Sequence, residues 1–519
     1  LSDLGLTPKR TAKIDTISLN TNWRSTFVCF NSQWKTMIQF RISCTNPASQ
    51  FVNILLELEI QDSNPIQLQL PAWRAGRYQL ANYAQNIRGF EILDALGEKV
   101  GFKKVTKDLW EIENKGKLSI RYEYWAGKMD AGNSWVDEEQ VYLNLVNCCF
   151  EILGHTEEKI IVGLDLPDYP DQISTLPKLS PDIWKANSFQ QLADSTILAS
   201  KGLVHWDYTS SKTQFHIWIQ GKVHFDQDVF LKNFRRFTDK LISDFGEFPE
   251  EEYHFIFQLL PYQHYHGVEH RRGTVITFGP AESLIDPFQM EELLGVSCHE
   301  LYHAWNVCRI RPKELLPYDF SKETYTQAGL TLEGVTTYMG DLYLLKSGVY
   351  SLSTYFRHLE KVIQRERDSF GWKNQSITES SFDLWLDGYV AGIPDKKVSI
   401  YTRGAILAMG MDSMLIQAGS SLTQVMKRMW EQFGKPNLGY TLEDFQAILS
   451  EETGNHELIQ EFFKQYVFGH EDYFPEFIQK LKYLGIEWEE VHEENPLLHE
   501  FGVRINDQRQ ILQIHPEAP

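Results

Sequence analysis

The chain has 519 residues, 42% of them hydrophobic, with 70 acidic against 50 basic side chains and a formal net charge of −20. That length and apolar content allow roughly two to four globular domains with substantial cores. The acidic balance, with a pI near 5.3, excludes nucleic acid as a partner, because phosphate binding needs clustered Lys and Arg.

Residues 1–35, opening with LSDLGLTPKRTAKIDTISLN, lack the continuous apolar segment of a secretory signal and read as an N-terminal leader or tag-like extension. Nowhere is there a run of about eighteen or more apolar residues, so no membrane span is expected. The cysteines (Cys29, Cys44, Cys148, Cys149, Cys298 and Cys308) form no CxxC pair. Free thiols in a reducing, cytoplasmic compartment are therefore expected, although a signal already removed would leave no trace. Adjacent Cys148 and Cys149 are expected on opposite faces of a strand, which disfavours a bridge between them.

Residues 36–222 consist of short runs such as TMIQFRISC, FVNILLELEI, LSIRYEYWA and FHIWIQGKVHF, rich in β-branched and aromatic residues and separated by Asn, Asp, Gly and Pro. They predict an N-terminal β-sandwich domain interrupted by a Pro-rich loop, LPDYPDQISTLPKLSPD. From about Asp226 the period lengthens: DVFLKNFRRFTDKLISDFG has helical spacing and a Gly at the expected C-cap, and 223–488 reads as a mainly helical domain.

Within that half lies GVSCHELYHAWNVCRIRP, residues 295–312. Positions i and i+4 share one helix face with Cβ atoms about 6 Å apart, so His299 and His303 can offer imidazole nitrogens to one ion. Glu300 then stands beside the water such an ion would carry. A zinc ion brings the pKa of that water to about 7, and a carboxylate can take its proton. Catalytic zinc sites use three protein ligands, so a third must follow. Glu333, in GLTLEGVTTYMGDLYLLKSG, and Glu323, in FSKETYTQAG, compete for the role, and spacing alone leaves both open.

HELYHAWNVCRIRP followed by LEGVTTYMGDLYLLKSG resembles the glycyl aminopeptidase family of gluzincin-type zinc metallopeptidases, whose signature is close to HExxHxWNVKRIRP with a later EGxTxYxGDL. LPAWRAGRYQLANYAQNI resembles the family's N-terminal β-domain signature, HGVEHRRGTVI its GGLEH segment, and VSIYTRGAILAMGMDSML its YYTKGAL segment. The resemblance spans roughly residues 36–515. It implies a thermolysin-like catalytic domain with His299, His303 and Glu333 as zinc ligands and Glu300 as general base, and it is the likeness that selects Glu333 over Glu323. It further implies Tyr401, in IYTRG, as the donor to the oxyanion, and Glu269, with Gly267 beside it, as the substrate-binding segment that reads a free α-ammonium. The alternative for Glu269 is an ordinary salt bridge to Arg271 or Arg272.

Where the family usually has two or three glycines, this chain has YHGVEH, so Tyr265 and His266 add bulk beside the substrate strand. His264, His266 and His270 are expected to be polar lining and not a second metal site. Arg309 and Arg311 are expected to be ion-pair partners, since cations repel zinc. The intervening RIRPKELLPYDFSKETYT, residues 309–326, must form an excursion over or beside the site. The final residues, FGVRINDQRQILQIHPEAP within 489–519, resemble the first strands of a PDZ domain or a strand pair closing the catalytic half.

The expected function is that of a zinc aminopeptidase removing small N-terminal residues such as Gly or Ala from peptides with a free amino terminus. The alternatives are a thermolysin-like endopeptidase, which would need a cleft open past Glu269, and a non-catalytic peptide-binding scaffold.

Overall fold

The computed structural model describes residues 37–60, 65–113, 116–390, 392–489, 496–505 and 509–515. The expected leader and Cys29 lie outside these residues. The first half is β-rich. Phe51–Ile60 alternates cleanly, burying Val52, Ile54, Leu56 and Leu58. It pairs antiparallel with Met37–Ser43 so that Ile38 faces Leu58 and Phe40 faces Leu56, which puts both apolar sets on one face. These two strands are central to a seven-stranded sheet. A four-stranded sheet containing Leu109–Ile112 packs across its face through aromatic contacts, with the Phe90 ring 5.3 Å from Trp110 and Tyr122 5.1 Å from Phe150. This is the expected sandwich arrangement.

Three local expectations change. The Pro-rich tract holds two short strands, Asp171–Ser174 and Lys178–Ser180. Its prolines flank these strands and so leave their ladder amides intact. Cys148 ends a single helical turn, Leu145–Cys148, and Cys149 follows it, both fully buried. Hydrophobic pattern alone does not separate such a turn from a strand. The described cysteines are all free.

The third change concerns Val204–Ser210 and Thr213–Gln220. Alternation identifies them as strands but not the sheet they join. They belong to a five-stranded sheet with Glu252–Leu259, Gly273–Gly279 and, at the edge, His264–His270. This sheet runs across the boundary expected at residue 222: two of its strands precede the helix Gln227–Phe245 and three follow it. We propose that the N-terminal domain ends between Ser200 and Val204. A separate apolar cluster joins Tyr142 and Leu198 of the first half to Ile256, Val268 and Val275 of this sheet, fixing the edge strand against the N-terminal half.

The helix Gln227–Phe245 forms as its sequence predicts. Asp226 caps its first turn by accepting from the Val229 amide, and Gly246 closes it at φ 93°. Four further helices surround the site: α1 Pro287–Tyr302, α2 Val335–Lys346, α3 Leu352–Arg367 and α4 Thr402–Gln417. Near the chain end are a short helix, Pro496–Phe501, and a two-stranded ladder of Val503–Ile505 with Ile511–Ile514. A strand pair is present there, and nothing more of a PDZ fold is established. No helix among the described residues is long and apolar enough to cross a membrane.

Candidate active site

Helix α1 starts where Asp286 accepts from the Phe288 amide and Pro287 takes the first turn, a position that lacks a helical partner in any case. It ends at His303, whose amide donates to the His299 carbonyl at 3.3 Å. One turn apart, the Nε2 atoms of His299 and His303 face each other at 3.1 Å. Glu333 projects from a π-helical turn, Leu330–Gly334, just before α2. Such turns reorient a side chain and recur at functional sites. Glu333 Oε2 lies 3.5 Å from each Nε2.

Glycines permit this approach. A Cβ on Gly340 of α2 would lie 3.2 Å from the His299 Cα, so α1 and α2 sit nearly backbone to backbone. A Cβ on Gly334 would lie 2.5 Å from the Gly404 Cα, which lets α4 cross the Glu333 turn and delivers Tyr401 to the same cavity.

Ligand atoms held about 2.0–2.1 Å from a tetrahedral zinc are roughly 3.4 Å apart. The triangle of 3.1, 3.5 and 3.5 Å fits that spacing. His299, His303 and Glu333 are the one group among the described residues with metal-ligand geometry. Glu323 is not part of it, and His264, His266 and His270 form no second group. Glu333 Oε2 is buried without a hydrogen-bond partner, a position a cation would satisfy. Burial alone would raise the Glu333 carboxyl, but His303 and His299 hold it well below the usual carboxylate range. Burial likewise opposes a charge on His303, and the Glu333 carboxylate outweighs it and raises His303.

Glu300 lies 5% exposed on α1, outside the triangle. Burial, with Glu269 and Glu333 nearby, pushes its carboxyl up to about 8 against the opposing effect of His303. Gly267 explains itself here, since a Cβ at that position would lie 2.2 Å from Glu300 Oε1. Any side chain on the edge strand at this point would displace the Glu300 carboxylate.

Glu269, three residues from His266 on the same strand, is 8% exposed. It makes no hydrogen bond or ion pair through its carboxylate among the described residues. The expected salt-bridge alternative is not formed: the Arg272 guanidinium bonds to Glu252 at 2.9 Å, and the Arg271 backbone amide bonds to Asp194. Tyr401 is 38% exposed, at the N-terminus of α4. The exposure is of the residue as a whole; its hydroxyl end is desolvated, and this, with the Glu333 carboxylate, raises the phenol well above its ordinary value, so it remains a proton donor at neutral pH.

All seven residues selected from the sequence line one cavity of about 470 Å³. The sequence reading missed what the N-terminal half contributes. Arg74, Gly76 and Arg77 line the cavity too. Gly76, at φ 74°, lies against Glu269 so closely that a Cβ would be 2.4 Å from Oε2. The AWRAGRY signature held the clue, but no local pattern says which distant strand a loop will touch. Tyr389 also lines this end, its hydroxyl accepting from the Tyr78 amide at 3.1 Å.

The segment 304–332 supplies no lining residue. It lies beside the site and docks on the N-terminal half, where the Trp73 indole donates to the Asp319 carbonyl at 2.8 Å and the Ala72 amide to Phe320 at 2.7 Å. Arg309 pairs with Glu250. Arg311 instead lies over the Tyr318 ring at 4.1 Å and donates to the Val307 and Cys308 carbonyls.

Comparison with known proteins agrees with this arrangement. Residues 292–407 match the model of the M61 glycyl aminopeptidase and residues 39–201 that of the peptidase M61 N-terminal domain, together more than half of the chain. Among solved structures, an aminopeptidase N family protein from Idiomarina loihiensis superposes with a TM-score of 0.75 at 24% identity, covering 93% of this chain and 82% of its own. An M1 zinc metallopeptidase from Deinococcus radiodurans, a mutant bound to a Tyr-Ser-Ala substrate, superposes at 0.53 and 13% identity, covering 85% and 96%. No curated protein sequence matches the chain. With both family models matched and the metal-ligand triangle inside the segment 292–407, the chain belongs to the M61 glycyl aminopeptidase family of metallopeptidases.

Proposed function

We propose that the chain is a zinc aminopeptidase that removes small N-terminal residues, Gly or Ala, from peptides with a free amino terminus. The observation that carries the reading is Glu269, a buried carboxylate without a partner, opening into the cavity of the His299, His303 and Glu333 triangle. A buried carboxylate is expensive unless paired, and a substrate α-ammonium would pair it. Gly76 of the 74–77 loop stands against the Glu269 carboxylate and leaves no room for a side chain there, which weighs against an endopeptidase.

Bound at the triangle, zinc would supply Lewis acidity and a water that ionises near neutral pH. Glu300 takes the proton of the attacking water and passes it to the leaving amine. Glu269 anchors the substrate amine, so that the first peptide carbonyl lies over the triangle. Tyr401 donates to the oxygen that becomes negative at the tetrahedral stage.

Purified protein is expected to retain one zinc per chain and to lose peptidase activity on chelation. Less than half an equivalent, with turnover unaffected by a chelator, would overturn the reading and favour a scaffold. Tyr401→Phe is expected to lower kcat and kcat/KM together by about a hundredfold, because a donor to the oxyanion acts in the transition state alone. A raised KM with normal kcat would make Tyr401 a residue that binds the ground state.

A further inference from the structure

Both halves of the ligand triangle meet at one residue that contributes no ligand. Asn306 is fully buried three residues after His303. Its backbone carbonyl lies 2.9 Å from His303 Nδ1. With Nδ1 donating there, the lone pair of the imidazole stays on Nε2, the atom that faces His299 and Glu333. Its side-chain amide reaches the other way, donating to the Thr331 carbonyl at 2.7 Å and the Thr336 hydroxyl at 2.9 Å, with Leu332 O at 3.5 Å. Thr331 and Leu332 belong to the π-helical turn that carries Glu333. Carbonyl acceptors identify the nitrogen end of this amide, since the oxygen end would face them without a proton.

The next residue carries an independent sign of the same design. Val307 is buried at φ 90°, in a region that β-branched residues avoid. The peptide between Asn306 and Val307 is the unit whose carbonyl His303 meets. The left-handed backbone at Val307 turns that carbonyl back toward the helix end, and the Val307 amide is tied to the Ile310 carbonyl at 3.1 Å.

We propose that Asn306, with the strained Val307 peptide, is the positioning residue of the metal site, setting the His303 tautomer through its carbonyl and the Glu333 turn through its amide. The proposal rests on the triangle holding zinc, and not on the reaction or its substrate.

The test is zinc affinity, read by competition with a chelator at fixed pH, beside the melting of the metal-free protein. Asn306→Ser is expected to weaken zinc about ten- to hundredfold, the usual effect of losing a partner that orients a ligand, while the metal-free protein melts within a few degrees of wild type. Val307→Gly should stay within about twofold of wild type, because Gly takes the same backbone angle without strain. Unchanged affinity in Asn306→Ser, or equal weakening in both variants, overturns the proposal. One measurement needs no variant: in the zinc-loaded protein the His303 Nδ1 proton, donated to a buried carbonyl, should be resolved by NMR and exchange slowly. Rapid exchange overturns the tautomer assignment. None of these readouts uses peptide turnover, so failure here is distinct from failure of the aminopeptidase reading, and a wild type without zinc affinity would refute the metal site itself.

Discussion

Glu300→Gln is expected to keep its zinc and to lose turnover by about 10²–10⁴-fold, whereas His299→Ala should lose the metal itself. The two residues are neighbours on α1, yet helical rotation separates their roles. The His299 imidazole converges with His303 and Glu333, and removing it leaves two ligands for a site that needs three. The Glu300 carboxylate stands outside the triangle against Gly267. Gln has the same shape and fits the same gap, but it cannot accept a proton. Metal content and turnover on an alanyl amide, measured on both variants, separate the cases. Equal zinc loss in the two would place Glu300 among the ligands and leave the proton without an acceptor.

The legibility of this site follows from how local each of its parts is. His299 and His303 could be read from the sequence because a helix period places i and i+4 together whatever surrounds them. Glu333 could be reached only by likeness to a family, since its approach depends on a π-helical turn and on Gly334 meeting Gly404, contacts made between distant segments. Gly267 was visible as part of a motif, but its reason, room for Glu300, appears only when strand and helix are packed. Gly76 and Arg77 lie nearly two hundred residues before Glu269 and escaped the reading of the site altogether. Fold was legible at the same scale. Alternation identified Thr213–Gln220 as a strand, while its parallel neighbour Glu252–Leu259, formed beyond an intervening helix, decided its sheet. Asn306 lies within the HELYHAWNVCRIRP motif, but a buried Asn has no periodicity to betray a role.

The last expected result concerns the substrate's own charge. Acetylating the amino terminus of a dipeptide amide should lower its cleavage at least about a hundredfold. Glu269 is buried and carries no partner of its own among the described residues, and Gly76 is packed against its carboxylate with no room for a side chain. A free α-ammonium entering the cavity gives that carboxylate a counter-charge. A blocked amine instead leaves it desolvated and unpaired, a loss of about 3 to 5 kcal/mol when a buried pair is broken from one side. The acetyl group must also find space beside Gly76, which stands against the carboxylate, and this adds a steric penalty of the same sign. Glu269→Ala separates the two contributions. It should slow cleavage of the free-amine peptide and narrow the gap between free and blocked forms, because no charge then remains to be satisfied, while whatever gap survives measures the steric part. Glycyl and alanyl dipeptide amides, each with its acetylated form, would be compared in wild type and variant. Comparable wild-type rates on blocked and free peptides would mean that Glu269 reads no amine and that the cleft admits chain beyond it, which sinks the exopeptidase reading and promotes the endopeptidase.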